Sequence, residues 1–120
     1  MNNLQKIYLT LQEGKGFSVN SDFSVYTGGG YAVGGHSNVF KSGISNLSYI
    51  VFKQVMDELA DTLISQDEKN VVIGGWVDDD GMTYVEASNI VHDLQIAIDL
   101  AKVRGELAIF DFDNFKEIRL

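Results

Sequence analysis

The chain has no cysteine and no proline among its 120 residues, and it has only two arginines and two histidines. Without cysteine there are no disulfides, no thiolate metal ligands and no thiol nucleophile. Both arginines, Arg104 and Arg119, lie in the last 17 residues. A bidentate phosphate or carboxylate clamp, which usually recruits arginine, is therefore disfavoured in the first 103 residues. No apolar run approaches the roughly 18 residues needed to span a bilayer. The opening stretch MNNLQKIYLTLQEG lacks a basic region followed by an apolar run and a small-residue cleavage site. The expectation is a cytoplasmic protein with no membrane partner. No motif implies a cofactor.

What is present is acid, and it is unevenly placed. Residues 1 to 56 carry four lysines against Glu13 and Asp22, a net of +2. Residues 57 to 120 carry fifteen Asp and Glu against five Lys and Arg, a net of −10. That balance argues against direct binding to nucleic acid, whose phosphates would repel the second half. With 45% hydrophobic residues and 11% aromatics the chain buries a core, so the carboxylates decorate a folded surface rather than a disordered tail.

Periodicity predicts one domain over residues 1–120. Leu4, Ile7, Tyr8 and Leu11 fall at helical spacing, with Asn2 or Asn3 as a cap and Gly14 past the end. Phe17–Val19 and Phe23–Val25 alternate like two strands about a turn at Asn20-Ser21-Asp22, and Tyr31–Val33 forms a third strand between glycine clusters. Leu47, Val51, Val55, Leu59 and Leu63 recur every four residues behind Ser45 or Asn46. Phe52, Met56 and Ala60 widen that stripe into a helical face. Val71–Val77 and Thr83–Val85 form a hairpin about Asp80-Gly81. Asp93 caps a third helix sharing Leu94, Ala97, Ile98 and Ala101, with Gly105 at its C-cap. Leu107–Phe112 and Ile118–Leu120 close the chain as strands about Asp113-Asn114. Hairpins dominate, so the expected fold is α+β: a mainly antiparallel sheet with two to three helices on one face.

Three segments invite a chemical reading. Leu107-Ala-Ile-Phe-Asp-Phe-Asp-Asn114 resembles the first motif of haloacid-dehalogenase-type phosphatases, which would make Asp111 a nucleophile and Asp113 a general acid. Phe115 stands where that family has threonine, and six residues follow Asn114. The expectation is therefore a hairpin with a polar turn and a solvent-facing Asp111. Asp78-Asp79-Asp80-Gly81 lacks the alternate spacing of a calcium loop and reads as an acidic hairpin tip. Gly28 to Ser37 holds five of the twelve glycines but neither a dinucleotide nor a phosphate-loop fingerprint. It reads either as a bulged strand or as a mobile loop that orders on a partner through Tyr31 and His36. His36 and His92 lack the partners of a catalytic triad. Trp76 reads as half-buried core or as an exposed interface anchor.

The run Gly-Gly-Trp-Val-Asp-Asp-Asp-Gly-Met-Thr-Tyr-Val-Glu-Ala-Ser (74–88), followed by a helix and by Ala-Ile-Phe-Asp (108–111), resembles small accessory proteins of phages and mobile elements. What this resemblance implies is an inhibitor of a host defence system, of the anti-CRISPR or anti-restriction kind, acting in the host cytoplasm. Several such proteins imitate DNA with ordered carboxylates and are acidic throughout; here the first half is not.

Two functional expectations follow. The first is a non-enzymatic protein that occludes a basic, nucleic-acid-binding surface of a host protein, with a homodimer as one possible form. Its partner-facing residues would be Asp57, Glu58 and Asp61, Asp78, Asp79 and Asp80, Asp93 and Asp99, together with Tyr31, His36 and Trp76. The second is a sequestering protein for a small molecule or nucleotide, with the glycine-rich loop as a lid over a pocket lined by Tyr31, His36 and Trp76. Neither expectation assigns a catalytic residue or a metal ligand.

Overall fold

The computed structural model describes residues 1–120, and its first helix, α1 (Asn3–Gln12), begins as the sequence predicts. The Asn2 side chain accepts from the Gln5 amide while the Gln5 side chain accepts from the Asn2 amide, a reciprocal capping box that satisfies two orphan donors. Leu4, Ile7 and Leu11 are the buried face. A short strand, β1 (Phe17–Val19), follows.

The expected second strand, Phe23–Val25, does not form. Asp22 accepts from the Ser24 amide, Phe23 takes a positive φ of 67°, and a single bridge, Val19 to Val25, remains. The local side-chain bond outcompetes a ladder there. Two strands the periodicity missed or shortened take its place. Strand β3 (Phe40–Gly43) follows β2 (Tyr31–Val33), and the return strand of the later hairpin is ten residues long rather than three.

Helix α2 (Tyr49–Ser65) is capped by Ser48, whose hydroxyl accepts from the Val51 amide; Ser45 and Asn46 lie in a preceding 3-10 turn, Ile44–Asn46. The buried stripe is accordingly Phe52, Met56, Ala60 and Leu63, with Val51 turned outward at 41% exposure. Strands β4 (Val71–Val77) and β5 (Met82–Val91) form the predicted hairpin. Asp93 caps α3 (Leu94–Val103) by accepting from the Ile96 amide, and Gly105 sits past its end with φ 73°. Ala97 and Ala101 are buried there, while Leu94, expected on the same face, is exposed. Strands β6 (Ala108–Asp111) and β7 (Lys116–Arg119) complete the chain.

The seven strands make one sheet, six of them in the order β1-β4-β5-β2-β6-β7 and β3 beside β5 off that path, every pair antiparallel. β5 is its axis. One edge pairs with β4 through residues 83–89; the other pairs with β3 through residues 82–85 and with β2 through 89–91. Because β5 and β6 both run antiparallel to β2, α3 is a crossover between parallel strands with β2 inserted between them.

The helices lie on one face. Val19, Ile73, Val85 and Ala87 pack under α1 and α2 around Phe52 and Met56, and Val33 and Ile109 pack under Ala97 and Ala101 of α3. Strand alternation sends Val72, Gly74 and Trp76 of β4, and Tyr84, Glu86, Ser88 and Ile90 of β5, to the other face. That face carries no helix. Val72, Ile90 and Phe112 are covered there by Tyr26 and Ala32, and the rest of the face is only partly covered, with Trp76 the most exposed side chain of β4.

Candidate functional site

The acidic residues singled out from sequence divide by what the fold asks of them. Asp78 is a turn builder. Its Oδ1 accepts from the Asp80 and Met82 amides and its Oδ2 from the Tyr84 hydroxyl, while Gly81 takes the positive φ of 81° that closes the hairpin. These bonds, the Met82 amide first, hold the Asp78 carboxyl below its usual range, and the same contact pushes the Tyr84 hydroxyl up. Asp93 is likewise engaged as a cap, Asp57 pairs with Lys53, and Asp99 accepts from the Gln95 side chain.

Glu58, Asp61, Asp79 and Asp80 are different: all four are exposed, and none has a cation within 4.0 Å. Across the molecule, three of the seventeen carboxylates have a Lys or Arg partner, and a fourth, Glu68, faces the His36 ring. The expected acidic surface is thus not one plane. Glu58 and Asp61 ride on α2, Asp79 and Asp80 project from the β4–β5 tip, and Asp93 lies at the opposite end of β5.

Tyr31, His36 and Trp76, expected to line one pocket, are separated. Tyr31 sits in β2 between β5 and β6 and packs beside Val33 under α3, whereas Trp76 stands on the helix-free face. The glycine-rich stretch therefore contributes a three-residue strand, Tyr31–Val33, flanked by loops at residues 28–30 and 34–37, and is no lid over a pocket shared by Tyr31, His36 and Trp76. Its middle is hydrogen-bonded on both edges in the interior of the sheet.

His36 lies past the end of β2, where the chain bulges away from β5. There Ser37 Oγ takes the Ala87 amide that has no strand to pair with, at 2.9 Å. His36 Nδ1 donates to Asn89 Oδ1 at 3.2 Å, and its Nε2 faces Glu68 Oε1 at 3.6 Å. Asn89 Oδ1 also accepts from Arg104, whose other nitrogen donates to the Gly34 carbonyl at 2.9 Å. Arg104 is spent inside the fold, clamping the C-terminus of α3 to the end of β2. Sequence gave no sign of this chain of four residues, because they come from four separate segments. Beside it, a groove of about 480 Å³ runs between the second half of α2 and residues 36–40, floored by Ala87.

On the open face, Glu86 points into the same bulge and accepts from the Gly35 amide. Burial, and then the neighbouring Glu106, push its carboxyl above the usual range against that hydrogen bond.

Asp111 is not the solvent-facing residue that was expected. It is 3% exposed and accepts from the Asp113 amide, the Asn114 amide and the Asn114 side chain. The Asn114 side chain is the first cause holding its carboxyl down. These bonds set the β6–β7 turn, where Phe115 takes a positive φ of 51°. A carboxylate committed to three donors within its own turn is poorly placed for nucleophilic attack. Nowhere do three His, Asp or Glu side chains converge in a way that could hold a metal ion.

Comparison with protein-family models, curated proteins and solved structures finds no match to this chain. The surface itself must carry the functional argument. Its most unusual part is a row of side chains across three strands on the open face: Trp76 of β4, Tyr84 of β5 and Lys41 of β3. The two rings stack at 4.4 Å between centroids and 16° between planes, and Lys41 Nζ lies 5.8 Å from the Tyr84 centroid. Trp76, the single tryptophan, is 51% exposed.

Proposed function

We propose that this protein is a binding protein without a catalytic centre, which engages a basic surface on a protein partner through its exposed carboxylates. The observation that carries the reading is the set Glu58, Asp61, Asp79 and Asp80, exposed and without internal cations. Charge left unpaired on a folded surface does little for stability but steers an oppositely charged partner and raises its association rate. A net charge of −8 gives that steering one sign.

The finer form of the reading is an inhibitor of a host defence protein, of the anti-CRISPR or anti-restriction kind, that covers a surface otherwise occupied by nucleic acid. It is supported by the resemblance of residues 74–88 and 108–111 to phage and mobile-element accessory proteins. The placement of Asp79 and Asp80 at a projecting hairpin tip supports the electrostatic part of it.

The test is kinetic. A partner captured from host extract is purified, and its association rate is followed against salt for the native chain and for Glu58→Gln/Asp61→Asn/Asp79→Asn/Asp80→Asn. The native rate should fall as salt rises, and the variant should lose most of that dependence. An unchanged rate and salt slope in the variant would remove these carboxylates from the interface and the proposal with them.

A further inference from the structure

We infer that the open end of the Trp76–Tyr84 stack is a docking site for an arginine side chain of a protein partner, with Asp79 and Asp80 as its counter-charges. The inference rests on the proposed preference for a basic partner and names where one of its side chains would sit.

Lys41 lies over one end of the stack, toward β3, and Tyr84 covers one face of the indole. The other end of the row faces β1, and the register that pairs Phe17 with Gly75 brings Gly16 beside Trp76. Gly16 has no side chain to cover the ring; a Cβ built there would come within 3.7 Å of the Trp76 Cβ and 3.0 Å of the Gly75 carbonyl. The next position of β4 on the same face is Gly74, also without a side chain. The indole is thus covered by the Tyr84 ring on one side, with Asp78 two residues along the chain and glycines at positions 16 and 74, and is half exposed on a strand otherwise well buried.

The exposed indole face carries the negative side of the ring quadrupole and suits a planar cation, and Lys41 lies beyond Tyr84, at the far end of the stack, where it does not occupy that face. Guanidinium stacks on indole and is more weakly hydrated than ammonium, so arginine is favoured over lysine. The charge is complementary. Asp79 and Asp80 project from the turn that Asp78 builds, and Asp78 is tied to the Tyr84 hydroxyl, so the free carboxylates and the stack belong to one end of one hairpin. A nucleic-acid base would also stack on such a face, but the two carboxylates and the acidic chain repel its phosphates.

The probes are two short blocked peptides of equal length and charge, alternating glycine with arginine or glycine with lysine. Trp76 is the only tryptophan, so its indole N–H resonance reports the site directly. The arginine peptide should shift that resonance and bind about threefold or more tighter than the lysine peptide by calorimetry. Trp76→Leu should remove that preference while leaving the weaker, salt-dependent binding of both peptides in place. Asp79→Asn/Asp80→Asn, which leaves the stack intact, should weaken both peptides by about threefold at low salt. Equal binding of the two peptides with a silent indole overturns this site but leaves the electrostatic reading standing. Binding of neither peptide overturns the site as well, and the electrostatic reading then depends on the captured partner alone. A shift produced instead by a single-stranded oligothymidine, with none from the arginine peptide, would also overturn it.

Discussion

Under α1 and α2 the sheet is sealed: Val19 and Val72's neighbour Ile73, with Val85 and Ala87, are at most 1% exposed, whereas Trp76, three residues along β4 from Ile73 and on the other face, is 51% exposed. The same strands supply both environments, because alternate side chains point to opposite faces. On the covered face a side chain is held by packing, and losing it leaves a cavity. On the open face the aromatic residues are held mainly by one another, so losing one should cost little folding energy. Large apolar side chains at such positions are free to contribute to binding instead.

Truncating one residue on each face and measuring unfolding by denaturant tests whether the two faces differ as their burial implies. Phe52→Ala removes a fully buried ring that packs against Tyr8 and Phe17, and should cost about 3–5 kcal/mol. Phe112→Ala tests the intermediate case, where the cover is Tyr26 in a loop rather than a helix; the loop can follow the vacated space, so the loss should be smaller, about 2–3 kcal/mol. A loss at Phe112 as large as at Phe52 would show that the loop packs as rigidly as the helices.

Asp111 sharpens the comparison at the sheet margin. Asp111→Ala removes the acceptor of three hydrogen bonds in the β6–β7 turn and should cost about 1–2 kcal/mol at neutral pH. Because the folded carboxyl is held below its usual value, its contribution is present above the unfolded pKa of about 3.9 and is lost as the pH falls through the lowered folded value. The gap between native and variant stability should therefore close in acid.

Trp76→Ala should cost less than about 1 kcal/mol, the smallest loss of the four. A loss matching that of Phe52 would mean that the stack is a structural element and not an exposed platform. The last effect has the opposite sign. Glu86→Gln keeps an acceptor for the Gly35 amide and removes a charge that burial and Glu106 disfavour, so it should stabilise by about half a kcal/mol at neutral pH. The folded pKa is raised, so this gain should vanish as the pH drops through it toward the unfolded value of about 4.3.

Much of the fold was legible locally. The Asn2 and Asp93 caps, the hairpin at Asp80-Gly81 and the left-handed glycine at 105 each follow from interactions within a few residues. The misreadings share a cause. Val51 fits a four-residue repeat, but an α-helix turns every 3.6 residues, so it drifts outward, while Phe52, Met56, Ala60 and Leu63 of the same expected face are buried and Val55 and Leu59 pack beside them. Phe40–Gly43 has weak alternation and becomes a strand because the far end of β5 needs a partner. In the candidate site, the acidity of Asp79 and Asp80 could be read from the sequence. The stack could not, since Trp76 and Tyr84 meet only through the pairing of β4 with β5.

Local periodicity, turn chemistry and composition were enough to read the three helices, most of the strands, the antiparallel α+β class and the excess of carboxylates in the second half. Only the tertiary structure places Tyr31–Val33 in the interior of the sheet between β5 and β6, turns Asp111 inward, and brings Arg104 and His36 together at Asn89. It also decided which face of the sheet stays open. Each of these depends on strands and helices distant in sequence, whose register is fixed only when the whole sheet forms.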